Sequence, residues 1–207
     1  VRVFVMTPSS REGVRVAERQ RTTSGCMATF TDLSLPIAGT YRLHVSGGGL
    51  EAESVDFEVR PGPVTKLAFA SLPIDAVVDR ILEPPVVVEL QDDHGNLVTD
   101  ATGAVQVDLG HRPNDASLEG TRSVDAIGGR AVFTDLRIDR VGGPYTLVAN
   151  SHLYGSAESN VFSVSAVPPA ALAFGATPST AVAGEILRAI QVFLLDDDTQ
   201  IATGSYA

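Results

Sequence analysis

At 207 residues, with 44 % hydrophobic and 19 % charged residues, the chain has the make-up of a folded protein with room for two modest cores. Its net charge of −10, with Lys66 as the one lysine, excludes the basic stripe that phosphate binding requires. No run of 18 apolar residues occurs, so no membrane insertion is expected in this segment.

The opening VRVFV sets Val1, Val3 and Val5 at the period of a strand. A polar stretch follows, Ser9 to Thr23, with Arg11, Arg15, Arg19 and Arg21. It reads as an exposed loop or strand face, or as a contact for an acidic neighbouring module. Val14–Val16, Cys26–Phe30 and Leu33–Leu35 are short strand candidates. From Ala38 to Val45 the alternation is clear: Tyr41, Leu43 and Val45 face a core while Arg42 and His44 face solvent. Gly47, Gly48 and Gly49 supply a hairpin turn, and Val55, Phe57 and Val59 bring the next strand back. The opening VRVFVMTPSS lacks a starting Met and turns polar too quickly for a signal peptide, so the chain reads as a mature segment or a fragment.

Pro61-Gly62-Pro63 cannot continue a strand ladder and marks a linker. Strand candidates then follow at Lys66–Ala70, Val86–Leu90, Ala104–Leu109, Ser123–Ala126, Ala131–Leu136, Tyr145–Ala149 and Ser159–Val164. The run Val86-Val87-Val88 reads as a strand buried on both faces. Seven short strands without helical periodicity over about 100 residues predict an antiparallel sandwich. Val167-Pro168-Pro169 is a second linker, and a third unit begins with Leu172-Ala173-Phe174 and a strand near Ile190–Leu195.

These segments repeat. Phe30, Tyr41, Phe57 and Val59 are answered by Phe133, Tyr145, Phe162 and Val164, and Thr31-Asp32-Leu33 by Thr134-Asp135-Leu136. Pro63, Leu67, Phe69 and Pro73 recur 105 positions later at Pro168, Leu172, Phe174 and Pro178. A repeated unit of that length is a domain. The expected fold is therefore all-β, a tandem of Greek-key sandwiches with residues 1–60 the C-terminal half of one domain, 61–167 a complete one, and 168–207 the N-terminal part of a third. Phe30, Phe57, Phe69, Phe133, Phe162 and Phe174 are its expected core.

The segments Ala38-Gly39-Thr40-Tyr41 and Gly142-Gly143-Pro144-Tyr145 resemble the tyrosine corner of Greek-key sandwiches, with Leu43 and Leu147 where an antibody domain would carry Cys. Leu67-Ala68-Phe69, Val86–Leu90, Asp92-Asp93-His94-Gly95-Asn96, Ala131-Val132-Phe133, and Ser159 with Phe162 and Val164 extend the pattern. It resembles the tandem immunoglobulin-like repeats of large extracellular proteins: bacterial surface proteins and adhesins, and mastigoneme-like proteins of algae and protists. The resemblance covers nearly the whole chain. It implies Tyr41 and Tyr145 as corner locks, an extracellular or cell-surface setting, and a structural role. Filamin repeats share the Gly-x-Tyr and Phe-x-Val signatures, which makes a cytoplasmic crosslinker the alternative setting. A carbohydrate- or protein-binding surface module is the alternative function, although it would need an exposed aromatic platform and Trp is absent.

Candidate sites are few. Asp92, Asp93 and Asn96, and Asp196, Asp197 and Asp198, follow matching strands in successive units, and clustered carboxylates are what calcium binds. Their spacing lacks the alternating oxygens and closing Glu of a strong calcium loop, and a tight turn capped by Asx side chains is the competing reading. No other cofactor is expected. His44, His94, His111 and His152 are scattered, and Ser9, Ser10, Ser46 and Ser123 lack a nucleophile elbow, so no enzymatic activity is expected. Asp135, Asp139 and Glu83 read as solvated loop charges. Cys26, the one cysteine, reads as a packed small residue. No Asn-x-Ser/Thr acceptor for glycosylation occurs.

Residues 168–207 and 1–60 together amount to about one repeat. Either the sequence is a slice of a longer chain, or the C-terminal strands of one molecule complete the N-terminal half-sandwich of the next, building a head-to-tail filament. The expected partners are neighbouring repeats or copies of the chain itself.

Overall fold

The computed structural model describes residues 1–6, 17–20, 27–175, 177–178, 180, 182–186 and 190–196. The strand candidate at Val14–Val16, Cys26, Asp197, Asp198 and most of the arginine-bearing stretch lie outside the described residues. Every regular element among the described residues is a strand, so the fold is all-β, as the alternating pattern implies. The chain divides into two compact units, one comprising Val1–Ala68, Glu89–Thr102 and Ala126–Arg130, the other Phe69–Val88, Gly103–Asp125 and Ala131–Ala207.

In the first unit, β1 (Arg2–Met6), β2 (Ala17–Gln20), β3 (Gly39–Gly47) and β4 (Leu50–Glu53) form an antiparallel sheet in the order β2-β1-β3-β4. The short β5 (Phe57–Val59) pairs with the start of β3, with Tyr41 opposite Phe57. Residues 28–36 hold no strand, so the candidates at Cys26–Phe30 and Leu33–Leu35 reduce to a single bridge at Met27.

The remaining strands, in chain order, are β6 (Lys66–Ser71), β7 (Asp75–Val77), β8 (Val86–Gln91), β9 (Ala104–Leu109), β10 (Leu118–Glu119), β11 (Ser123–Asp125), β12 (Arg130–Phe133), β13 (Arg137–Ile138), β14 (Gly142–Tyr145), β15 (Leu147–Ser151), β16 (Gly155–Glu158), β17 (Phe162–Ser165), β18 (Ala171–Phe174) and β19 (Val192–Leu195). A four-stranded sheet runs β11-β9-β15-β16, a three-stranded sheet β12-β8-β6 and another β14-β17-β7, with small ladders β10-β13 and β18-β19. The β7–β17 pairing is parallel, Val164 opposite Ala76. Val86 and Val88, Ala131 and Phe133, Val105 and Val107, and Leu147 and Ala149 are the inward positions, each 1 % exposed or less. Alternating strands of two sheets that each bury one face make a sandwich. Val87 is only half-buried, because β8 alternates like its neighbours instead of being buried on both faces.

Two expected strands are each broken in two. Within Ser159–Val164, residues 159–161 are a crossing between β16 and β17, and residues 54–56 are a similar crossing between β4 and β5. A serine stands at each crossing. The Leu147 N–H donates to the Ser159 hydroxyl (2.9 Å) while the Ser159 N–H donates to the Leu147 carbonyl (2.8 Å) and its hydroxyl to the Asn160 carbonyl (2.8 Å). Ser54 repeats all three bonds, with the Leu43 N–H and carbonyl and with the Val55 carbonyl. The hydroxyl takes the place of a ladder carbonyl, so the chain passes from β16 to β17, and from β4 to β5, without stranding a backbone donor.

Phe174, expected in a core from its repeat position, is 70 % exposed. The β18–β19 hairpin that carries it has no second layer among the described residues.

Candidate functional site

The polar atoms that converge most closely lie in the tight turn after β8. Gly95 has φ 86°, which only glycine adopts readily, and its N–H donates to the Asp92 carbonyl while the Asp92 N–H donates to the Asn96 carbonyl. This closes the loop and turns the Asp92 carboxylate inward, where it is 3 % exposed. Oδ1 accepts the backbone N–H groups of His94 and Asn96, each at 2.9 Å. Oδ2 accepts the Gly62 N–H of the proline linker at 2.9 Å and the Asn96 side-chain amide at 2.8 Å.

Asn96 carries the connection further. Its Oδ1 accepts the Ala38 N–H at 2.8 Å and its Nδ2 donates to the Pro36 carbonyl at 2.8 Å. Three segments distant in sequence are thus tied by two adjacent side chains: residues 36–38 before β3, Gly62, and the turn 92–96. Donation from the Asn96 amide, joined by the N–H groups of Gly62, Asn96 and His94, outweighs the opposing effect of burial and holds the Asp92 carboxyl well below the usual carboxylate range.

The four acceptor positions of Asp92 face N–H donors, and the Asn96 oxygen faces another. Oxygens so committed do not fit a calcium ion, which needs their lone pairs. Asp93 is exposed and offers its carbonyl to the Lys66 ammonium (3.3 Å). Asp196 follows β19, while Asp197 and Asp198 lie outside the described residues. Among the described residues, no three His, Cys, Asp or Glu side chains gather as a metal site.

Two further arrangements recur. The Tyr41 hydroxyl donates to the Ile37 carbonyl (2.9 Å), and the Tyr145 hydroxyl shares its proton between the Arg140 carbonyl and Asn114 Oδ1, both at 3.0 Å. Tyr41 and Phe57 have ring centroids 6.3 Å apart at 35°, and Tyr145 and Phe162 6.2 Å apart at 35°. Tyr145, Phe133 and Phe162 are buried, and so is Tyr41, whereas Phe30, Phe57 and Phe69 are half-buried.

The histidines stay apart. His44 lies on β3 near Glu53 (3.7 Å) and Glu51 (4.0 Å), and His94, His111 and His152 are exposed in connecting segments. Ser46 lies on β3 and Ser123 on β11. Asp135 and Asp139, read from sequence as solvated charges, are instead caps. Asp135 takes the Thr121 N–H and hydroxyl, which hold its carboxyl low despite partial burial, and Asp139 takes the Ser117 N–H. Sequence reasoning missed these bonds, as it missed the link from Asn96 to Ala38, because no spacing rule relates partners so far apart.

No family model and no curated protein matches the chain. Among solved structures, it is similar to a glycosyl hydrolase family 2 member from Bacteroides cellulosilyticus (15 % identity, TM-score 0.44, covering 79 % of this chain and 21 % of that one). It is also similar to a β-glycosidase from Bacteroides vulgatus (13 %, TM-score 0.44, 79 % and 21 %) and to a β-glucuronidase from Parabacteroides merdae (16 %, TM-score 0.37, 76 % and 20 %). The chain spans about a fifth of the length of these proteins.

Proposed function

We propose that this chain is a non-catalytic structural segment of an extracellular protein built from immunoglobulin-like repeats, in which residues 61–167 form one complete repeat, serving as a stalk, filament or adhesin spacer. The observation that carries this reading is the Asp92–Asn96 latch. A proline linker alone leaves neighbouring modules free to swing within the range its fixed φ values permit. Here the linker N–H at Gly62 and the backbone at Pro36 and Ala38 are all bound to one turn. A stretch so fastened holds residues 36–38, Gly62 and the turn 92–96 in one fixed arrangement within the first unit, which supports a structural role.

Small-angle scattering on the chain and on its Asn96→Ala variant tests this reading. A fastened joint gives a single-conformer profile that broadens in the variant. Identical broad profiles for both proteins would remove the latch from the argument and the spacer function with it.

A further inference from the structure

The pairing of β7 with β17 is parallel, with Asp75 opposite Ser163, Ala76 opposite Val164 and Val77 opposite Ser165. Its far end is fastened twice. The Val78 N–H donates to the Ser165 carbonyl (3.0 Å), and the Ser165 hydroxyl donates to the Ala76 carbonyl (3.1 Å). Ala76 and Val164 are 4 % and 2 % exposed, which keeps water from the middle of the pair, where a hydrogen bond is stronger than at the surface. On its other side β17 is held by β14, Tyr145 opposite Phe162, and the Tyr145 hydroxyl is tied in turn to Asn114 and the Arg140 carbonyl.

Direction gives this pair a mechanical role. Because the two strands run the same way, the chain enters β7 at one end of the pair and leaves β17 at the other. Residues 78–161, with all of β8 to β16, lie between them in sequence. A pull on the chain before β7 and after β17 therefore passes across the pair and bypasses everything in between. It drags the strands past each other along their axes, so the cross-strand bonds resist together. The antiparallel β15–β16 pair is the opposite case. It is closed by a tight turn between Ser151 and Gly155, so its outer ends lie side by side and a pull on them opens one bond at a time.

From this we infer that the β7–β17 pair is the fastening by which residues 61–167 carry tension, and that residues 78–161 stay folded until it parts. β6 precedes β7 on this path, and its release lets out only the residues ahead of Asp75. The Val78 N–H and the Ser165 hydroxyl are groups that set the strength of the fastening. The inference rests on the structural reading above and adds what the segment withstands, a pull along the chain.

The test is single-molecule pulling on the whole chain in a Cys26→Ser background, with handles on cysteines introduced by Arg60→Cys and Pro169→Cys, both at exposed positions. The protein lengthens in one step of roughly 30 nm, the release of residues 78–161 at about 3.5 Å each. Val78→Pro, which removes the N–H that Ser165 accepts, raises the unfolding rate at a given force about tenfold or more, and Ser165→Ala about threefold. Val105→Ala opens a cavity at a fully buried position of β9, off the path of the pull. It lowers the urea midpoint yet changes the rate under force less than about twofold, because β9 is still packed when the pair parts. Circular dichroism establishes that each variant is folded, and Ser165→Ala, at an exposed residue, carries the comparison if Val78→Pro does not fold. Lengthening in many small steps overturns the inference, and so does a Val105→Ala chain that unfolds under force as fast as Ser165→Ala. Either failure leaves the structural reading standing, because its own test is the order of the joint seen by scattering.

Discussion

The Asn96 side-chain oxygen accepts the Ala38 backbone N–H at 2.8 Å across 58 positions of sequence. Its amide nitrogen meanwhile serves both Pro36 and Asp92. Asn96→Ala therefore removes three bonds and leaves a backbone donor and a carboxylate oxygen short of partners. A loss of about 1–3 kcal/mol is expected in urea unfolding. An unchanged midpoint and slope would show that the three bonds are replaced by water at no cost.

Asp92 links the same joint to pH. Its folded-state pKa is depressed, so the stability it contributes is fully present above the unfolded carboxylate value of about 3.9 and is lost as pH falls through the lower folded value. Asp92→Asn turns an amide N–H₂ toward the donors of Gly62 or His94. The variant is expected to be less stable than the wild type at neutral pH, with the gap closing as acid protonates the wild-type carboxyl. Urea melts between pH 7 and pH 2 check this, and two parallel curves would contradict it.

The tyrosine corners differ in their surroundings, and the difference is measurable. Tyr145 is fully buried and its hydroxyl has two acceptors, whereas that of Tyr41 has one. Tyr145→Phe is expected to cost about 1–2 kcal/mol, since Asn114 and the Arg140 carbonyl both lose a donor, and Tyr41→Phe about 1 kcal/mol. Equal costs in chemical melts would mean that the second acceptor and deeper burial of Tyr145 add nothing, and no cost that the corner bonds add nothing beyond ring packing.

Ser54 and Ser159 make the same three bonds at different depths. The Leu147 N–H that Ser159 receives belongs to a fully buried residue, while the bond from Leu43 to Ser54 is exposed to solvent. Ser159→Ala should cost about 1–3 kcal/mol by stranding a buried donor, and Ser54→Ala less than 1 kcal/mol because water can replace the hydroxyl. Hydrogen exchange at Leu147 and Leu43 reports the two sites separately. Equal exchange in both variants would show that burial makes no difference.

Much of the fold is legible in the chain itself. The alternation in Ala104–Leu109 marks β9 and decides which of its faces is buried, whereas that in Tyr41-Arg42-Leu43-His44-Val45 marks β3 although Arg42, Leu43, His44 and Val45 are all half-buried. Short strands were less legible. β7, β10 and β13 hold two or three residues each, too few for a period to show, and they exist because partner strands lie beside them. The aspartates after β8 stood out as a cluster, yet composition could not tell a cation site from a set of capped N–H groups.

The sequence by itself determined that this is a repeated all-β chain, because period-two alternation, proline linkers and a return of the same residues near 105 positions are properties of one strand of text. It also placed the tyrosine corners, which need only a small residue before the ring. Tertiary structure alone decided that Asp92 and Asn96 bind the backbone at Gly62, Pro36 and Ala38, that the Ser54 and Ser159 hydroxyls take the place of ladder carbonyls, and that Phe174 is exposed. Each depends on where distant donors, acceptors and covering strands come to rest. Hydrogen bonds reach only about 3 Å, so their partners are decided by the packing of the fold and leave no period in the sequence.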